Sequence, residues 1–162
     1  MTRPIRKIMV YVDGSEQSIT AAQYAIVLAK SLGAELCALY VVDTRALAEL
    51  VKSRIFLEVE QDEYRHDLDG DASRYLNHVR ELARQKGVPV TTEKSSGAVH
   101  VEIKAKITEL GIDLLVLGEI SQIRSRRDEL YNETERAMRN APCPVVVAKG
   151  EDRIWDLYEN LE

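Results

Sequence analysis

The chain has 162 residues, 22 Lys+Arg against 27 Asp+Glu, a formal charge of −5, and it is 45% apolar and 30% charged. That length makes one domain able to bury its own core without disulfides or a metal, and that composition excludes a disordered chain. The charge is uneven: residues 58–71 carry −6 and residues 151–162 carry −4, leaving a body of +5 with no basic stripe for a nucleic acid.

No apolar run approaches the ~20 residues of a membrane span. The opening MTRPIRKIMVYVDGS lacks the apolar core and cleavage site of a signal peptide, so a cytoplasmic location is expected. Cys37 and Cys143 lie far apart in apolar stretches. Two buried free thiols are expected, with neither a disulfide nor a metal site.

Along the chain, Ile8–Val12 (IMVYV) is a β-rich run stopped by Asp13-Gly14-Ser15. Residues 16–32 turn helical, with Ala21, Ala22, Ala25, Leu28, Ala29 and Leu32 at three- and four-residue steps and Gly33 as the stop. Leu36–Val42 (LCALYVV) is a second run of strand length. Within 44–86, Tyr64, Leu68, Ala72, Tyr75, Leu76, Val79, Leu82 and Ala83 form one apolar helical stripe, with a break or kink expected at Gly70. Val88–Thr92 is a third, more polar strand, expected to end before a Ser95-Ser96-Gly97 turn. Val99–Leu110 is helical and closed by Gly111, Leu114–Leu117 is a fourth strand, and Val145–Ala148 is a fifth.

Apolar runs without alternation, separated by amphipathic helices, indicate strands buried on both faces. The expected fold is α/β: an open, doubly wound, five-stranded parallel sheet, Rossmann-like, with helices on both faces. Such sheets bind ligands outside the strand C-termini, which directs attention to the loops after Val12 and after Leu117.

After the first strand, Asp13 has two readings. Its carboxylate can hold ribose hydroxyls or an adenine amine, or Asp13 and Ser15 can cap the helix while Glu16 complements its positive end. After the fourth strand comes a long polar loop, in which Arg124, Arg126 and Arg127 can clamp phosphates or stand as solvated charge.

The VDGSE strand end, the GAEL opening to LYVVD, IDLLVLG and the closing APCPVVVAK together resemble the universal stress protein family over about residues 5–149. The resemblance implies strand order 3-2-1-4-5 and a homodimer. Family members that bind ATP carry G-x2-G-x9-G-[S/T] after the fourth strand. Here Gly118 fills the first position, but Ser121, Tyr131 and Asn132 occupy the other three. A tyrosine at Tyr131 adds bulk and restricts φ where backbone must approach a phosphate. Asp13 matches the family's base- and ribose-contacting aspartate, and Val41 its adenine-pocket position. The departures resemble the branch that does not bind ATP.

No nucleophile elbow, Walker A sequence or dinucleotide fingerprint is present, and His66, His78 and His100 are scattered without metal-ligand spacing. No enzyme activity, cofactor or metal is therefore expected. The expectation is a non-enzymatic stress-response or signalling protein, homodimeric through the Val145–Ala148 edge strand. The alternative is an ATP- or adenine-nucleotide-binding switch using Asp13, Val41, Gly118 and Arg126. Residues 1–150 make the α/β domain, and 151–162 an acidic amphipathic helix. On that helix Ile154, Leu157, Tyr158 and Leu161 share one face, which packs on its own domain, on a dimer mate or on a protein partner. The tail's carboxylates are also placed to neutralise Arg124–Arg127.

Overall fold

A computed structural model of the chain describes residues 4–44, 52, 58–120 and 132–162. In chain order its elements are β1 (Lys7–Tyr11), α1 (Glu16–Leu32), β2 (Glu35–Asp43), α2 (Glu58–Gln85), β3 (Val90–Gly97), α3 (Val99–Leu110), β4 (Leu114–Gly118), α4 (Glu133–Asn140), β5 (Val145–Ala148) and α5 (Glu151–Glu159). The strands form one sheet in the order β3-β2-β1-β4-β5, and every pairing is parallel.

Strand side chains point alternately to opposite faces, so an unbroken apolar run fills two cores at once. Ile8, Val10 and Val12 of the first run, with Leu36, Ala38, Tyr40 and Val42 of the second, pack beneath α1 and α2. Met9, Tyr11, Cys37, Leu39 and Val41 face the other way and meet Val99, Ile103 and Ile107 of α3. The register holds the two sets in phase, with Ile8 beside both Leu36 and Leu114.

Two expectations are corrected. β3 does not end before Ser95-Ser96-Gly97; it runs through them, pairing Val41 with Ser95, Val42 with Ser96 and Asp43 with Gly97. The nine-residue β2 is a template long enough to keep these turn-prone residues extended, so pairing overrides local preference. α2 is not interrupted at Gly70 and continues to Gln85. A single glycine costs a helix about 1 kcal/mol. The burial of Ala72, Leu76, Val79 and Ala83 against the sheet offsets that. Tyr64 of the stripe has a side chain outside those described.

Cys37 is buried and Cys143 half-buried; both are free thiols. Burial pushes both thiols up from their ordinary pKa, which favours their protonated form.

The C-terminal segment forms α5 and lies on its own chain. Ile154 and Tyr158 are buried in the core beneath α1 and α2, and Leu161 packs against them. The Tyr158 hydroxyl donates to the Leu82 carbonyl at 2.6 Å, and Lys86 Nζ stands 5.0 Å from the Tyr158 ring centroid. Lys86 Nζ also donates to the carbonyls of Glu159 and Leu161 at 3.1 and 3.2 Å, closing the helix's last turn. Leu157, expected on the buried face, is exposed instead, because α5 is held along the Ile154–Tyr158 line. No helix among the described residues is long and apolar enough to cross a membrane.

Candidate functional site

The C-terminal ends of β1 and β4 meet the start of α1. Here Ser15, not Asp13, is the helix cap: its hydroxyl oxygen accepts from the Ser18 amide at 3.1 Å. A serine in this role contributes about 1 kcal/mol to a helix. Asp13 acts one step back. Its Oδ1 accepts from the Ser15 amide at 2.9 Å and from the Ser15 hydroxyl at 2.6 Å, which sets the rotamer of the cap. Asp13 N–H donates in turn to Ser18 Oγ at 3.2 Å. The carboxylate is exposed, and among the described residues its Oδ2 meets no hydrogen-bond partner.

Gly14 has a φ of 85°, and a Cβ there would fall 2.5 Å from the Tyr75 ring. Tyr75 stacks on Tyr40 with ring centroids 6.2 Å apart and planes 6° from parallel. The backbone turn after β1 is thus pressed against an aromatic pair from α2 and β2.

Gly118 closes β4. A Cβ on it would lie 2.7 Å from the backbone carbonyl of Gln17 and 3.0 Å from the Ser18 nitrogen. The missing side chain therefore has a packing reason, since the first turn of α1 crosses directly over the strand end. Asn132, at the [S/T] position of the ATP-binding pattern, is the N-cap of α4, with Oδ1 accepting from the Glu135 amide at 3.0 Å. The sequence signal for this was present in Asn132-Glu133-Thr134-Glu135, which has capping-box form.

Asp13 and Gly118 come together, with Tyr11, Ser15, Gln17, Ser18, Glu119, Asn132 and Thr134, around a cleft of about 110 Å³. Val41 is not among its lining residues; it is 5% exposed and packs in the core beside Tyr11. Arg126, with Arg124, Arg127, Ser121 and Tyr131, lies outside the described residues, and so does any neutralisation of these arginines by the tail.

The cleft is acidic. Asp13 and Glu119 line it, and none of the described residues that line it is basic. Burial, and then the carboxylates of Asp13, Asp43 and Glu133 together with Tyr40, hold the Tyr11 phenol protonated well above its usual range. Glu133 is itself held from two sides. Its Oε2 lies 2.8 Å from His100 Nδ1 and accepts from the His100 amide at 3.2 Å, while Oε1 lies 3.6 Å from Arg136 Nη1. His100 thus joins the start of α3 to the start of α4, a role that its place after the Ser95-Ser96-Gly97 segment did not reveal. His66 and His78 are exposed on α2. Among the described residues no group of His, Cys, Asp and Glu is arranged to hold a metal ion.

The chain resembles known proteins over nearly its whole length. The sequence profile of the universal stress protein family matches residues 4–149. Universal stress protein MJ0531 of Methanocaldococcus jannaschii is 33% identical over 144 residues, covering 89% of this chain and 82% of that protein. Among solved structures, a universal stress protein family member from Burkholderia pseudomallei superposes with a TM-score of 0.72 at 21% identity, covering 93% of this chain and 100% of the other. A universal stress protein family protein from Arabidopsis thaliana, solved with AMP bound, superposes with a TM-score of 0.65 at 16% identity, covering 91% and 94%. These two structures show the same fold as this chain. The chain belongs to the universal stress protein family.

Proposed function

We propose that this protein is a non-enzymatic stress-response or signalling member of its family, a cytoplasmic homodimer that works through binding and conformational state. In this reading residues 1–150 are the family domain and 151–162 an appended acidic helix. The observation that carries it is the acidity of the strand-end cleft as the described residues line it, with Asp13 and Glu119 present and no basic residue among them. A triphosphate brought there meets like charge. The cleft of about 110 Å³ is also well below the roughly 300–1,000 Å³ of most small-molecule pockets. Gly118 and Asn132, two of the four positions of the ATP-binding pattern, have packing and capping roles that need no phosphate.

The position of β5 supports pairing through it. Val145, Val146 and Val147 are half-buried on an edge strand that, among the described residues, is bonded only to β4. A valine-rich edge invites a second strand, and a two-fold copy supplies one.

Two observations favour a second reading, an adenine-nucleotide switch through Asp13, Val41, Gly118 and Arg126. The Asp13 carboxylate keeps one oxygen open at the cleft, and the Arabidopsis relative has AMP bound. Nucleotide analysis of the denatured purified protein, with calorimetric titration of ATP and AMP, separates the two. The expected result is no released nucleotide and no saturable heat. Binding that is abolished by Asp13→Ala would replace the first reading with the second. Light scattering over a dilution series should show a dimer, and a monomer at every concentration would reject the β5 pairing.

A further inference from the structure

We propose that the cleft between α1 and α5 is a binding site for an aliphatic ammonium group, carried by a polyamine or by a lysine side chain. This cleft is separate from the strand-end cleft and holds about 340 Å³. Two helical stripes wall it. Glu16, Ile19, Thr20 and Gln23 recur along one face of α1, and Glu151, Asp152 and Trp155 come from the first turns of α5.

The three carboxylates by themselves have an ordinary explanation. Acids in the first turn complement the positive end of a helix, and Glu16, Glu151 and Asp152 all occupy first turns. That explanation does not extend to the floor. Gln23 is 6% exposed and Thr20 is 8% exposed, and among the described residues neither side chain makes a hydrogen bond. Among the described residues no fully enclosed side-chain nitrogen or oxygen lacks a partner. The Gln23 amide must therefore open onto accessible space, and the space it lines is this cleft. Water reaches that amide through the cleft, so an occupant that displaces the water has to supply hydrogen bonds in its place.

The chemistry of the walls selects the occupant. Among the described residues none of the three carboxylates is in an ion pair, and no basic residue lines the cleft. The carboxylates do not converge as a metal site would, so the complementary charge is an extended organic cation. Ile19 and the half-exposed Trp155 offer apolar and aromatic surface to a methylene stem, and the indole face attracts an ammonium. Gln23 Oε1 and the Thr20 hydroxyl are acceptors for the N–H groups that lead the stem inward.

Trp155 is the only tryptophan of the chain, so its emission reads the site directly. Spermidine titrated into the full-length protein at low salt should change that emission saturably, and potassium chloride at matched ionic strength should not. The double variant Glu151→Gln/Asp152→Asn should weaken spermidine binding by about tenfold, the scale of two partly exposed charge contacts. Gln23→Met, which keeps the packing volume, should weaken it without shifting the unfolding midpoint beyond that of the double variant. N-acetyl-lysine methylamide run as a competitor distinguishes the sources. Displacement of spermidine assigns the site to a lysine side chain of a protein, and no displacement assigns it to a free polyamine. Absence of a saturable change, reproduction of the change by potassium chloride, or binding by both variants as tight as by the parent protein would overturn the proposal.

Discussion

Replacing Tyr158 by alanine is expected to lower the unfolding free energy by about 3–5 kcal/mol, the usual cost of emptying a buried aromatic site. Tyr158 is 2% exposed, and it ties together three parts of the chain. Its ring lies in the core beneath α1, its hydroxyl donates to the Leu82 carbonyl of α2, and Lys86 stands over its face. Tyr158→Phe removes only the hydrogen bond and should cost about 1 kcal/mol. The two variants together separate packing from hydrogen bonding in urea denaturation followed by circular dichroism. A loss below about 1 kcal/mol for the alanine variant would mean that α5 is not docked in solution. The same experiment bears on the α1–α5 cleft, because undocking α5 removes one of its walls.

Gly118→Ala should cost about 1–3 kcal/mol, the range for forcing an atom into a packed site. The added Cβ would meet backbone, the carbonyl of Gln17 and the nitrogen of Ser18, rather than the end of a flexible side chain. Relief requires α1 to shift at its first turn, where Ser15 and Asp13 are bonded. The penalty should be the same with and without added ATP. A variant as stable as the parent in the absence of nucleotide would show that the close approach to α1 is not what requires glycine at 118. Gly70→Ala is the matching control. It lies inside α2 with no atom within 4 Å of the added methyl, so it should stabilise the helix by about 0.5–1 kcal/mol.

The contrast between these glycines shows what could be read without coordinates. Gly118 stands at the first position of a phosphate-binding pattern, and the sequence offers that explanation first. The reason visible in the structure lies about a hundred residues away along the chain, at Gln17. Asp13 is similar. Its spacing from Ser15 permits capping or ligand contact, and the hydrogen bonds divide the roles, with Ser15 as cap and Asp13 as the group that orients it. Tyr11 and the His100–Glu133 pair were not legible as parts of one region. Each is unremarkable locally, and only the sheet order brings the end of β1 beside the starts of α3 and α4.

Much of the architecture was legible for a physical reason. Unalternating apolar runs such as Ile8–Val12 and Leu36–Val42 must be buried on both faces, and the pleat then assigns odd and even residues to opposite cores. Heptad-like stripes on α1 and α3 gave those helices, and their glycine stops gave the ends. The third strand was cut short because Ser95-Ser96-Gly97 has the chemistry of a turn. Ladder bonds to Val41, Val42 and Asp43 outweighed it.

The uneven charge of the chain divides in the same way. Sequence alone determined that residues 151–162 form an acidic amphipathic segment, because charge and apolar period are local properties. Whether that segment lies in cis, on a mate or on a partner depends on contacts such as Tyr158 with Leu82, which are 76 residues apart. The same holds for Gln23. Its place on α1 follows from helical period, whereas its lack of a partner beside three carboxylates exists only once α5 is laid against α1. Local patterns fix which elements form and which faces they bury. The contents of the clefts between them are set by packing across the chain, where no short-range signal reaches.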